Sequence, residues 1–118
     1  MQQKVHTITI EVVGDKLKID KPKLRAGNGD EIEWNCADPW ALVFEPPQGT
    51  GPGKPFKDGP FKDRKRVRKK GQGQPNRGTV EKHGGTDRIH YKYTVACCKD
   101  GEVYIEDPEV IIDPVGSR

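Results

Sequence analysis

The residues of this chain best suited to chemistry are its thiols and imidazoles. There are three cysteines and three histidines: Cys36, Cys97, Cys98, His6, His83 and His90. Thiolates and imidazoles bind zinc and copper, and two thiols can also form a disulfide. Three interpretations of the cysteines stay open: inert thiols, one disulfide from Cys36 to Cys97 or Cys98, and a thiolate site for copper(I) or zinc. Zinc sites often use a spacing such as Cys-x-x-Cys, which the adjacent pair Cys97-Cys98 lacks.

Other catalytic patterns are not found in the sequence. The histidines are scattered, so we expect them to be structural or solvent-facing rather than ligands. There is no Gly-x-Ser-x-Gly elbow. The glycine-rich stretch 49–54 contains Pro52, which removes an amide that a phosphate loop would use. The sequence therefore predicts no enzyme and no cofactor, and it assigns no metal ligands in the leading interpretation.

The elements that position these residues are predicted to be strands. Alternating β-branched residues over Val5–Val13 indicate a half-buried strand, and shorter alternations follow at 16–19 and 31–35. The apolar run Trp40–Phe44 and the alternation over 89–95 and 110–113 indicate three more strands. Apolar residues do not recur at helical spacing, so we predict an all-β domain spanning 1–118.

Two of these segments resemble the halves of a cupredoxin, the small β-sandwich of blue-copper proteins. The first is Trp34-Asn35, a short loop, then Pro39-Trp40-Ala41-Leu42-Val43-Phe44, and the second is Tyr91-Lys92-Tyr93-Thr94-Val95. The resemblance implies a cupredoxin-like Greek-key β-sandwich. Trp40 stands where the family has a histidine ligand and Val95 where it has the cysteine, so the resemblance implies a fold without type 1 copper. It also implies that the cysteines converge at one pocket end, formed by Trp40, Cys36, Cys97, Cys98 and Tyr104.

A long insertion separates the two segments. Residues 46–88 contain nine Gly and six Pro, and few large apolar side chains besides Phe56 and Phe61. We predict an irregular insertion that these two rings anchor to the core, with a short strand near 79–83. The middle, 62–78, is predicted to be mobile.

Charge is distributed unevenly along the chain. Residues 54–92 carry thirteen Lys or Arg and four Asp or Glu, a net charge of +9, whereas the rest carries −6. This segregation predicts an acidic protein or another polyanion as partner, with a solvated loop as the simpler alternative. The predicted partner-binding residues are Lys62, Arg64, Lys65, Arg66, Arg68, Lys69 and Lys70.

The leading hypothesis is therefore a non-catalytic binding or interaction domain with a basic loop. The alternative is a metal-binding or redox protein that uses Cys36, Cys97 and Cys98 as ligands. No stretch approaches the ~20 apolar residues of a membrane helix, so no membrane span is expected. The N-terminal residues show no apolar run like that of a secretory signal, so we expect a cytoplasmic location, with a mature exported domain as the alternative.

Overall fold

A computed structural model describes residues 4–45, 58–69, 75–83 and 87–114. Within these residues the chain forms strands and turns and no helix, which confirms the predicted all-β class. The strands of the described residues are β1 (Val5–Val13), β2 (Lys16–Ile19), β3 (Lys23–Ala26), β4 (Glu31–Cys36), β5 (Trp40–Phe44), β6 (Val67–Lys69), β7 (Asn76–Thr79), β8 (Ile89–Lys99), β9 (Glu102–Glu106) and β10 (Glu109–Ile112). None of these residues belongs to a helix long and apolar enough to span a membrane.

The first sheet has the strand order β2-β1-β4-β7. β1 pairs antiparallel with β2 across a turn at Gly14, whose positive φ of 63° favours glycine. β1 also pairs in parallel with β4, placing Ile8 opposite Trp34. Side chains alternate across a strand, so Ile8, Ile10, Ile32 and Trp34 share the buried face.

The second sheet is organised around the long strand β8. On one side β8 pairs with β5, and β5 in turn pairs with β6. On its other side the first half of β8 pairs with β10 and the second half with β9, while β3 lies parallel to β10. Both sheets thus mix parallel and antiparallel pairs, and the arrangement is consistent with a β-sandwich.

An aromatic cluster forms the centre of the core. Trp34 and four other fully buried rings, Phe44, Phe61, Tyr91 and Tyr93, have centroid separations between 5.1 and 6.4 Å, mostly edge to face. Trp34 Nε1 donates a hydrogen bond to the Tyr93 hydroxyl at 3.3 Å, so the buried indole N–H is satisfied. Each such ring pair adds about 0.5–1.5 kcal/mol beyond area burial, so this cluster holds the two sheets together.

The stretch after Val95 differs from the sequence prediction. The alternation predicted a strand over 89–95 only, whereas β8 continues through Cys97 and Cys98 to Lys99. Asp100 and Gly101, both at positive φ, then turn the chain into β9. Asp-Gly is a typical two-residue hairpin turn, so the local sequence does encode this reversal.

Strand β3 was also not predicted. It has only four residues, of which Leu24 and Ala26 are buried. Its pairing partner, β10, lies near the other end of the chain, so its hydrogen bonds depend on a contact that local alternation does not reveal.

The described part of segment 46–88 contains two strands. β6 joins β5 in the second sheet and β7 joins β4 in the first, so the chain crosses from one sheet to the other between them. The strand expected near 79–83 lies earlier, at Asn76–Thr79, and only one further bridge forms at Val80.

The predicted anchoring of this segment is confirmed for one of the two rings. Phe61 is fully buried and its backbone bridges to Val80. Phe56 lies outside the described residues, as do residues 70–74 in the middle of the segment. The mobility of 62–78 stays a prediction.

Candidate functional sites

A cluster of two thiols and a carboxylate lies at one end of the sandwich. Cys36 is the last residue of β4 and follows Ile32 and Trp34 on the inward face, whereas Cys97 follows Tyr93 and Val95 on the inward face of β8. Strand alternation in the two facing sheets therefore directs both thiols towards the same interior space.

The three ligand-type atoms of this cluster are close together. The Sγ atoms of Cys36 and Cys97 are 3.7 Å apart, and both cysteines are free thiols. A carboxylate oxygen of Asp38, which lies in the turn after β4, is within 4.8 Å of both sulfurs. Burial, together with the Cys36 thiol and the neighbouring Asp38 charge, raises the pKa of Cys97 to about 12. Without a metal this thiol is protonated at neutral pH and is a weak nucleophile.

An open groove gives access to the cluster. It has a volume of about 700 Å³, and its lining includes Cys36, Asp38, Trp40, Glu11 and Lys99. It offers room for water beside Cys36 and Asp38, and its lining carries charges of both signs.

The five residues predicted to form the pocket end differ from one another in position and exposure. Trp40 is 5% exposed, lies opposite Cys97 in the β5–β8 register and lines the groove with Cys36. Tyr104 lies opposite Cys97 on β9 and is half-buried. The prediction that Cys98 belongs to the pocket end needs correction, since this residue is exposed and its side chain lies on the outer face of β8.

The basic residues form a separate surface beside β6. Five of the seven predicted partner-binding side chains are exposed: Lys62, Arg64, Lys65, Arg66 and Lys69. Two of them also make local contacts, since Arg64 pairs with Glu81 at 3.4 Å and Arg66 Nε donates to the Phe44 carbonyl at 2.7 Å. Lys70 lies outside the described residues.

The prediction that Arg68 binds a partner also needs correction, because this residue does not belong to the basic surface. The residue is 3% exposed, and its Nη2 donates to both carboxylate oxygens of Asp63 at 2.6 and 2.7 Å. Its Nη1 donates to the side chain of Asn76 and the carbonyl of Arg77, both at 2.9 Å. The guanidinium carbon lies 4.3 Å from the centre of the Phe61 ring. Arg68 therefore stabilises the fold where β6 and β7 meet.

His6 and His90 each contact a different acidic residue. His6 lies 3.0 Å from Asp30, and His90 lies 3.2 Å from Glu109. Burial alone would raise the pKa of Asp30, but hydrogen bonds from His6 and from backbone amides outweigh it and hold that pKa below its usual range.

His83 is buried although it lies outside the strands. Its Nδ1 is 2.8 Å from the Glu81 carbonyl and its Nε2 is 2.6 Å from the Tyr91 hydroxyl. A carbonyl only accepts, so Nδ1 carries the proton and Nε2 accepts from Tyr91. Burial lowers the pKa of His83, which keeps the ring neutral. These contacts favour a structural role for this histidine.

Asp38 is the cluster member that sequence reasoning missed. It precedes Pro39 in a short connection and reads as an ordinary turn residue. The available signal was its position between Cys36 and Trp40, two residues already assigned to the pocket end.

Comparison with known proteins adds no relative to these observations. No family model matches the chain, and no curated protein or solved structure matches it either.

Proposed function

We propose that this protein is a non-catalytic interaction domain on a cupredoxin-like Greek-key sandwich, and that its basic surface binds a polyanionic partner. The basic surface is defined as Lys62, Arg64, Lys65, Arg66 and Lys69. The observation that carries the proposal is the exposure of these five side chains within eight residues, while Asp63, the acidic residue among them, is paired with buried Arg68.

The fold part of the proposal is supported by where the two resembling segments lie. Trp34-Asn35 of the first segment lies in β4, while the apolar part of that segment forms β5, which pairs with the second segment in β8, with Leu42 opposite Val95. The indole and the isopropyl group at the positions of family ligands offer no metal-binding atom.

The binding part follows from electrostatics. Cations crowded on one surface create a positive potential that attracts polyanions and raises their association rate. Neutralising that charge releases counterions from the partner, so affinity falls steeply as salt rises. Asp63 is paired with Arg68, and Glu81 compensates only Arg64, so most of the positive charge of the surface is not neutralised by these two carboxylates.

A charge-reversal experiment tests this proposal. Heparin and labelled poly-L-glutamate serve as probes, with affinity measured between low and physiological salt. The variant Lys62→Glu/Lys65→Glu/Lys69→Glu should lose at least about tenfold in affinity and show a shallower salt dependence. The matched control Lys16→Glu/Lys18→Glu/Lys23→Glu changes the same net charge at exposed positions on β2 and β3 and should bind more tightly than the first variant.

Two results would contradict the proposal. One is no binding of either probe by the unmodified protein at low salt. The other is an equal loss of affinity in both triple variants, because binding would then follow net charge and not this surface.

A further inference from the structure

We infer that Cys36, Cys97 and Asp38 form a binding site for a zinc-type divalent cation, with the groove supplying water as the fourth ligand. The inference is independent of the basic surface. The sequence-based prediction assigned no metal ligands, and its alternative used all three cysteines. The site inferred here uses only Cys36 and Cys97 and adds Asp38, which the sequence-based alternative did not include.

The spacing of the sulfurs carries the first step. With zinc–sulfur bonds of about 2.3 Å and tetrahedral angles, two thiolates on one zinc lie about 3.8 Å apart. The observed separation between Cys36 Sγ and Cys97 Sγ is 3.7 Å. The two sulfurs therefore already occupy neighbouring corners of such a tetrahedron.

The third ligand comes from the turn after β4. A carboxylate oxygen at about 2.0–2.2 Å from zinc would lie about 3.5 Å from each sulfur. The Asp38 oxygen lies within 4.8 Å of both, so a side-chain adjustment of about 1 Å completes the third corner. Asp38 is half-buried in a turn, where such an adjustment needs no change in strand pairing.

The ligand types select the metal. Two sulfurs disfavour calcium and magnesium, which take oxygen ligands. Thiolates alone suit copper(I) as well as zinc, but a carboxylate is a hard ligand that zinc accepts more readily. Two thiolates and a carboxylate around a divalent cation leave one net negative charge, and Lys99 lines the same groove.

Access and ligand count indicate an open site. Three protein ligands leave one position for water, and both Cys36 and Asp38 line the groove. Cys98 is excluded because it alternates to the opposite face of β8. It therefore provides a matched control, differing from Cys97 by one position in the same strand.

The experiment uses the full chain, reduced and freed of metal, titrated with Zn²⁺ against a chromophoric chelator and with Co²⁺ as a spectroscopic probe. One equivalent should bind, and Co²⁺ should show thiolate charge-transfer absorption and the intense visible bands of tetrahedral coordination. Cys36→Ser should abolish these bands. Asp38→Asn should lower affinity at least about tenfold, since losing even an outer-shell partner typically costs 10–100-fold. Cys98→Ser should bind like the unmodified protein.

Three results would overturn the inference. The first is less than about a tenth of an equivalent of metal on the fully reduced protein. The second is a loss of binding in Cys98→Ser equal to that in Cys36→Ser. The third is unchanged affinity in Asp38→Asn. Urea unfolding checks that each variant is folded. Cys97 is fully buried, so Cys97→Ser is not needed for the test, which depends on substitutions of the half-buried residues Cys36 and Asp38.

Discussion

Replacing Arg68 by methionine should destabilise the protein far more than replacing any exposed neighbour in the same basic run. Methionine keeps an unbranched apolar side chain against Phe61 but removes the guanidinium. Asp63 then loses two short hydrogen bonds, and Asn76 and the Arg77 carbonyl lose one each. The perturbation therefore removes four hydrogen bonds from one buried group.

The magnitude follows from the burial of the two partners. Breaking a buried ion pair by removing one member typically costs about 3–5 kcal/mol. The Arg68 side chain is 2% exposed but Asp63 is 35% exposed, so water can rehydrate the abandoned carboxylate. We therefore expect about 3 kcal/mol, the lower end of that range. With a urea m-value of about 1.5 kcal/mol/M for a small domain, the unfolding midpoint should fall by about 2 M.

Urea unfolding followed by tryptophan fluorescence measures this effect, because Trp34 lies in the core beside Phe61. Lys65→Met is the matched control: its side chain is exposed, so the change should stay within about 0.5 kcal/mol. The double variant Arg68→Met/Asp63→Asn should be less destabilised than the two single variants together. A loss below about 1 kcal/mol in Arg68→Met, or strict additivity in the cycle, would refute the assignment of Arg68 to the fold.

Three further predictions follow from other sites. Gly78→Ala should destabilise by about 1–3 kcal/mol in the same unfolding assay, because a Cβ there would lie 2.7 Å from the Phe61 ring; an unchanged midpoint would contradict this. Asp30 has a lowered pKa, so its stabilisation is present above its unfolded value and is lost as pH falls through the folded one; Asp30→Asn should flatten the pH dependence of stability below about pH 4, and an unaltered profile would contradict this. Exposed Cys98 should react with a maleimide rapidly and buried Cys97 only on unfolding, which mass spectrometry of the labelled peptides would resolve cysteine by cysteine; rapid labelling of Cys97 in the folded protein would contradict this.

Side-chain alternation predicted the inward faces of the central strands correctly. Ile8, Ile32, Tyr91 and Tyr93 belong to strands that were predicted from alternation, and each is fully buried on the inward face. This works because a strand with one face in the core has a single register that buries its large apolar residues. The same rule places Cys97 inward, since it continues the series from Tyr93.

The rule fails in the basic run, where hydrophobicity and burial are reversed. In β6 the apolar Val67 is 59% exposed whereas its charged neighbour Arg68 is buried. The face of Arg68 is set by its opposite residue, Leu42 on β5, and by the acceptor pair of Asp63. Neither contact is visible in a run of like charges, so composition alone assigned Arg68 to the partner-binding surface.

Arg68 and the pair of inward-facing thiols, two of the polar groups inside the sandwich, have different explanations. Arg68 has a carboxylate, an amide and a carbonyl to bond, and with them it ties β6 to β7, so stability accounts for it. Cys36 and Cys97 make only a weak contact at 3.7 Å, and small apolar side chains would fill the same positions. A carboxylate beside two thiols adds repulsion to any negative charge that forms on them. Departures from the usual rules of core composition occur most often at functional sites. A bound cation would turn the repulsion between the carboxylate and the thiolates into attraction, and it therefore explains the cluster where packing does not.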